Sequence, residues 1–275
     1  MSDTLLRLFQ SSARSVWTSA QLLAWSALVF CTLALVTKRG EAVAAARGAA
    51  AEIRVNLAFY FLDVLLVVPP LALVTALMAM PAQRYSWQLV QSDEWARMPS
   101  ALVFLLAVFV GDCVSYWRHR LEHTPLLWPA HAIHHSDTEM TWLTLARFHP
   151  INRLTTDVVD IGCLTLIGFP EWAIVANVTV RHYYGQFIHA DLPWTLGPLD
   201  GVLVSPVMHR WHHARDVTGT GSNFATVFSV FDRLWGTYYV PGPCTVPLGV
   251  TDAVGPGTLR QLIYPFAAWF KLSRE

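Results

Sequence analysis

The sequence is short of charge. Only 14% of its 275 residues are Asp, Glu, Lys or Arg, where a soluble domain carries about 25%. The 54% hydrophobic content and the mean hydropathy of +0.39 exclude disorder and an ordinary soluble enzyme. A basic excess is also missing. Lys+Arg and Asp+Glu both number 19, for a net charge of zero, so phosphate neutralisation and nucleic-acid binding are excluded. The four cysteines, Cys31, Cys113, Cys163 and Cys244, form no CxxC pair. They read as buried small hydrophobes, not as a zinc or iron–sulfur site. The first apolar run has no cleavage pattern behind it and reads as a retained helix. Histidine is absent from both ends: all 11 lie between His119 and His213. This divides the chain into an apolar part, residues 1–117, and a histidine-bearing part, residues 118–275.

What is present in the apolar part is membrane-length helix. Val16–Thr37 holds about 22 residues without a formal charge, enough to cross about 30 Å of hydrocarbon. Val55–Met80 is a second run, with Asp63 inside it and Pro69-Pro70 at its middle, where the helix is expected to kink or to split into two half-helices. Ser100–Trp117 is the third, interrupted only by Asp112. Residues 155–180 form a weaker fourth region, broken by Asp157, Asp160, Gly168-Phe169-Pro170 and Glu171, and read as a broken span or a re-entrant hairpin. Lys38, Arg39, Arg47 and Arg54 between the first two spans place that connection in the cytoplasm. Two crossings later the chain re-enters that side at Arg118-His119-Arg120, with the N-terminus outside. Arg7 and Arg14 slightly oppose that assignment.

Three histidine clusters follow. His119 and His123 form HxxxH; positions i and i+4 share a helix face and can reach one metal. His131, His134 and His135 form HxxHH, and His209, His212 and His213 form another. Each triad lies on one face of a helix. Eight imidazoles exceed the four to six ligands of one metal, so two metals are expected, of a kind that imidazole suits, such as Fe, Zn, Cu or Ni. His119, Glu122 and His123 also fit HxxEH, in which Glu122 serves as general base to a zinc-bound water of a membrane metallopeptidase; that reading leaves both triads unexplained. A third reading is a non-catalytic metal-binding or transport protein. Its sites belong near the bilayer midplane, whereas every cluster here follows the third span.

These residues resemble the sterol desaturase/fatty acid hydroxylase superfamily. Asp112-Cys-Val-Ser-Tyr116-Trp117-Arg-His119-Arg120-Leu-Glu-His123 is similar to its D-x3-YWxHRxxH. Leu127-Trp128-Pro-Ala-His131-Ala-Ile-His134-His135-Ser136 is similar to LLWxxHxxHHS. Ser205-Pro206-Val-Met-His209-Arg210-Trp-His212-His213 is similar to SPxxHRxHH, and Phe231-Asp232-Arg233-Leu-Trp-Gly236-Thr237-Tyr238 to WDRLFGTY. The resemblance covers about residues 112–239. It implies one integrated all-α domain: three to four membrane helices and a cytoplasmic helical cap carrying a dimetal site. It also implies a non-haem di-iron oxygenase that hydroxylates or desaturates a lipid with O2. Zinc can replace iron on overexpression.

The same resemblance adds His189, within Phe187-Ile-His189-Ala-Asp191, as a ninth ligand; Asp191 stands where the family has Asn. The ligand set is then His119, His123, His131, His134, His135, His189, His209, His212 and His213. Some relatives carry a further histidine where this chain has Gly185, leaving that position to water, open, or filled by His182. His149 is read as structural or as supporting a ligand. Asp112, two turns before His119, is expected to bond His119 or His123, with a salt bridge to arginine as the alternative. Asp216 is a similar candidate, Glu122 either supports a ligand or faces solvent, and Gly236-Thr237-Tyr238 make a turn. The implied partners are a membrane lipid and a separate electron donor, cytochrome b5-like or a ferredoxin with its reductase. The implied location is a bacterial inner membrane, or the endoplasmic reticulum membrane in a eukaryote.

Overall fold

The computed structural model describes residues 2–215 and 221–272, with the side chains of 2–15, 83 and 92 left out. Among the described residues the chain is helical, and its only β pairing is an isolated bridge between Ala214 and Leu248. Three stretches are long and apolar enough to cross a membrane: Val16–Gly48, Ala50–Ala82 and Ser100–Glu122, with hydropathies of 1.8, 2.3 and 1.8.

The first contains most of α1 (Ser2–Lys38), a 3-10 turn, and α2 (Ala42–Gly48). The second corrects the expectation of two half-helices. Helix α3 (Ala50–Leu62) passes through a π-helical turn, Asp63–Val67, directly into α4 (Val68–Arg84). Pro69 and Pro70 lack N–H donors, and a wider turn just ahead of them lets the chain continue. A short α5 (Ser92–Ala96) then leads to α6 (Ser100–Glu122), the third span, whose last turn carries His119.

The fourth region is a helical hairpin. After α7 (Trp128–His135), the first leg comprises α8 (Pro150–Thr156), a π turn at Asp157–Ile161 and α9 (Gly162–Ile167). Gly168 ends it at φ 94°, where a Cβ would lie 2.0 Å from the Val90 carbonyl oxygen. Only glycine fits that approach. The second leg is α10 (Glu171–His189), which returns along α6. Gly111 of α6 permits this close packing, since a Cβ there would meet the Asn177 side chain at 2.4 Å.

The two ends of the bundle are distinct. At one end, Leu89 and Val90 N–H groups donate to the Leu166 and Ile167 carbonyls. At the other lie the histidines, with α11 (Pro206–His212), α12 (Val230–Leu234) and α13 (Thr258–Leu272). The 38–54 connection sits at this histidine end: Lys38 pairs with Asp191, Glu52 with Arg147, and Asn56 donates to Asp137 at 2.9 Å. An outer belt of exposed apolar side chains, including Leu28, Leu65, Leu73, Leu105, Phe109, Val158, Leu166 and Val175, marks an integral membrane protein.

Candidate metal centre

The hairpin explains how clusters far apart in sequence meet. His131, His134 and His135 sit before its first leg and His189 ends its second, so both return to the level where α6 delivers His119 and His123. Helix α11, started by the Ser205 hydroxyl accepting from the Met208 N–H and by Pro206 at its first turn, brings His209, His212 and His213.

The nine histidines form two sets. His119, His123, His131, His135 and His212 place one ring nitrogen each within 4.8 Å of one another; so do His134, His189, His209 and His213. This corrects the expectation that each triad shares one face. His131 and His135, at i and i+4, serve one set while His134 serves the other. His209 and His213 likewise serve one set and His212 the other. Helical geometry favours the i,i+4 pair and sends the odd residue sideways. The two sets abut, with the His135 and His213 rings stacked at 4.4 Å. His182 lies outside both sets, 3.3 Å from the Gln186 amide nitrogen. His149 caps α8, accepting from the Ile151 N–H, and its Nε2 bonds the Leu262 carbonyl. Gly185 contributes its carbonyl, which accepts from His189 Nδ1 at 2.6 Å.

The chemistry of the rings fits a cation. His119 Nδ1 faces the Phe224 carbonyl at 2.7 Å and His212 Nδ1 faces the Ser222 carbonyl at 2.7 Å. Carbonyls only accept, so both Nδ1 atoms carry hydrogen and both Nε2 atoms present lone pairs. Yet these two Nε2 atoms face each other at 3.0 Å. A proton could bridge them only if one ring were cationic, and burial pushes His212 down to about 4. A shared metal ion resolves the contact: nitrogens about 2.1 Å from one ion and at right angles lie about 3.0 Å apart. The other facing Nε2 pairs agree, at 3.1 Å for His119–His131, His131–His135 and His134–His189, and 3.0 Å for His189–His209. Buried His123 Nε2 and both ring nitrogens of His213 have no hydrogen-bond partner among the described residues. Burial also pushes His131, His134, His135, His209 and His213 well below the ordinary imidazole value, and His189 to about 4. Neutral imidazole is the ligating form.

Asp112 bonds neither His119 nor His123; of the two expected partners, the arginine is the one present, as Arg181. Its carboxylate accepts the backbone N–H groups of Thr226, Val227 and Phe228 at 3.2, 3.0 and 2.8 Å, with Arg181 3.8 Å away. His119 is instead satisfied by the Phe224 carbonyl, which leaves Asp112 to hold the strand of loop below it. Asp232 continues this clamp, accepting from Phe224 N at 2.7 Å, Ala225 N at 3.0 Å and the Thr237 hydroxyl at 2.7 Å. Two buried carboxylates thus collect five consecutive N–H groups, 224–228. Asn223, at φ 60°, turns the chain so that Ser222 and Phe224 carbonyls both face rings. Its side chain is pinned by Met208 and Tyr239 backbone. Gly236, at φ 72°, makes the expected turn, and Tyr116 hydroxyl meets Thr237 at 2.8 Å. Asp216 lies outside the described residues.

Glu122 is fully buried. It pairs with Arg118 at 2.7 Å, accepts from the Thr155 hydroxyl at 2.6 Å, and lies 3.6 Å from His131 Nδ1. That is the far side of the ring from the Nε2 that enters the cluster. The Asn152 amide also meets His131 Nδ1, at 3.1 Å. Arg118 bonds Asp160, which also takes Arg181. Asp191 pairs with both Lys38 and Arg210, tying α1 to the turn after His189. A neutral Asn there would lose the ion pairs. Asn152, Ser222, Asn223 and the Gly185 carbonyl escape sequence reading, because backbone acceptors and a lone amide carry no pattern; only Asn223, a residue that tolerates positive φ, left a weak signal.

The fatty acid hydroxylase family model matches residues 104–237. An ornithine lipid hydroxylase of Rhizobium tropici is 32% identical over 203 residues, covering 72% of this chain and 59% of that protein. An alkylglycerol monooxygenase of Danio rerio is 30% identical over 171 residues, covering 61% and 38%. A Delta(7)-sterol 5(6)-desaturase of Gibberella zeae is 25% identical over 168 residues, covering 57% and 47%. The matched part thus spans about half the length of these relatives. No solved structure matches. The matched residues include every histidine of both sets and the Asp112 and Asp232 clamps, and the chain belongs to the fatty acid hydroxylase/sterol desaturase superfamily.

Proposed function

We propose that this protein uses O2 to hydroxylate or desaturate a C–H bond of a membrane lipid at a di-iron centre. One iron would be held by His119, His123, His131, His135 and His212, the other by His134, His189, His209 and His213. The observation that carries the reading is the pairing of two adjacent all-imidazole sets at the end of membrane helices. When bound, the two irons supply O2 binding and the oxidising power. The chain's own part is positioning. The Phe224, Ser222 and Gly185 carbonyls fix the protonated nitrogen and plane of His119, His212 and His189, and the buried surroundings keep the rings neutral. The exposed apolar faces of α6 and the hairpin let a lipid approach from the bilayer. The relatives are named for ornithine lipid, alkylglycerol and a sterol; a membrane lipid is the class proposed here. Residues 1–117 would anchor, and 118–275 would carry the chemistry, within one integrated domain.

Electrons would come from a separate donor, cytochrome b5-like or a ferredoxin and its reductase. The histidine end is assigned to the cytoplasm of a bacterial inner membrane, or of the endoplasmic reticulum in a eukaryote, from the basic residues between the first two spans. The peptidase reading is disfavoured by Glu122, which sits behind His131 and is engaged by Arg118 and Thr155.

The test is metal and product together. Iron-loaded protein in lipid nanodiscs, given a chemical or protein reductant, is expected to hold about two irons, consume O2, and yield lipid heavier by one oxygen or lighter by two hydrogens by mass spectrometry. Full activity of zinc-only protein with none from iron-loaded protein would sink the oxygenase reading and favour hydrolysis.

A further inference from the structure

A cleft of about 480 Å³ opens at the histidine end, between the start of the second span and the start of α13. Its walls include Glu52, Arg54 and Val55 on one side and Gly257, Thr258 and Gln261 on the other. Neither histidine set contributes to it.

Its chemistry is lopsided. The first turn of α13 leaves the N–H groups of Thr258, Leu259 and Arg260 without intrahelical partners, and the helix dipole adds partial positive charge there. Gly255 and Gly257, at φ 78° and 84°, form the turn that leads into that N-terminus. Arg54 is exposed and has no hydrogen bond or ion pair to the described residues. The Glu52 carboxylate is already engaged by Arg147 and by the Thr138 hydroxyl. Gln261 is 3% exposed. Its amide nitrogen bonds the Gly255 carbonyl, and its amide oxygen is buried without a partner among the described residues. The cleft therefore offers a cation and a helix N-terminus to an anion, and an unfilled acceptor to a donor.

Its position adds the membrane. Arg54 lies in the first turns of the second span, Ala50–Ala82. Helix α13 exposes Leu259, Ile263 and Phe266 at 71%, 55% and 58%. These positions, i, i+4 and i+7, make one apolar stripe. Such a helix lies in the interface plane with its apolar face among acyl chains. The stripe is apolar like the exposed faces of the spans, and the polar cleft lies at its N-terminal end.

We propose that this cleft binds the headgroup of an anionic phospholipid that also carries a hydroxyl or amino donor, as phosphatidylglycerol does. The phosphate would meet Arg54 and the α13 N-terminus, the headgroup donor would meet the Gln261 amide oxygen, and the acyl chains would run along the α13 stripe. This does not rest on the oxygenase reading.

Native mass spectrometry of the delipidated full chain, titrated with phosphatidylglycerol or phosphatidylcholine, tests it. One phosphatidylglycerol per chain is expected to saturate, in preference to phosphatidylcholine, which has the phosphate but no donor. Arg54→Gln is expected to weaken this binding roughly tenfold, the scale of a charge-assisted contact. Arg54→Lys is expected to restore most of it. Arg54 is exposed and unpaired, so unfolding should start at the same temperature in all three proteins. Arg84→Gln, an exposed cation at the far end of the second span, is expected to leave binding unchanged. The proposal is overturned if Arg54→Gln has no effect, if Arg84→Gln weakens binding equally, or if both lipids bind alike. Displacement of the lipid by millimolar inorganic phosphate would instead identify a free-anion site and reject the lipid.

Discussion

Removing Asp232 should loosen metal through a loop that touches no metal. Asp232 accepts from Phe224 N, Ala225 N and the Thr237 hydroxyl, and Phe224 then offers its carbonyl to His119 Nδ1 at 2.7 Å. Asp232→Ala leaves two buried N–H groups unsatisfied, at about 1–3 kcal/mol each, so about 2–6 kcal/mol of stability is lost. Set against a total of about 5–15 kcal/mol, the chain should still fold. Asp232→Asn keeps one acceptor oxygen but turns an NH2 toward the N–H donors, and should lose about 1–3 kcal/mol. The loop carries the acceptors of both His119 and His212, and losing such a partner typically weakens metal binding 10- to 100-fold. The effect should therefore fall on the five-histidine set. The assay is a chelator titration with metal counted by mass spectrometry, run beside thermal unfolding. Wild type should release metal last, Asp232→Asn earlier and Asp232→Ala first, with one metal per chain leaving ahead of the other. If Asp232→Ala lowers the unfolding temperature by the expected amount yet releases metal as wild type does, the loop does not orient these rings and the reasoning fails.

Other outcomes follow from the same geometry. His212→Ala and His134→Ala each remove a ring from a different set; both should abolish turnover while the protein stays in the membrane fraction, which blotting and activity together check. Glu122→Gln should lower the unfolding temperature, because it breaks a buried pair with Arg118, yet keep turnover per folded enzyme within about tenfold; a loss of about 10²-fold or more, the low end for a general base, would favour hydrolysis. Metal-free protein should lose stability as pH falls below about 6.5. The buried rings of His189 and His212 titrate at about 4, so the unfolded chain binds protons first, and each ring contributes up to about 1.4 kcal/mol per pH unit until pH nears 4. A denaturant midpoint that does not move between pH 7 and 5 would contradict this. Single cysteines at Arg47 and Glu139 should label from the same side, the cytoplasmic one, and a cysteine at Asp93 from the other; opposite labelling of Arg47 and Glu139 would break the parity argument.

Hydropathy and histidine spacing are local properties, and the sequence by itself determined what they govern. Three apolar runs of membrane length must bury their backbone groups in helices, and three spans are found where the runs lie. Eight histidines at motif spacing marked the candidate site, His189 was added only by the family resemblance, and Gly168-Phe169-Pro170 marked the break in the fourth region. Tertiary structure decided the rest. Spacing gives the direction of a side chain around its own helix, not the neighbour it will face, so the two-plus-one division of each HxxHH triad appeared only when α6, α7, α10 and α11 were packed together. Pro69-Pro70 looked like a break, but a π turn ahead of it kept the helix whole. Asp112 looked like a partner for His119 because both share a face of α6. The backbone of 226–228, more than a hundred residues later in the chain, reaches it instead. Main-chain N–H and C=O groups are the same at every residue. A loop that holds the His119 and His212 rings with its carbonyls and is itself held by its N–H groups therefore leaves almost no trace in the sequence, and only the fold reveals it.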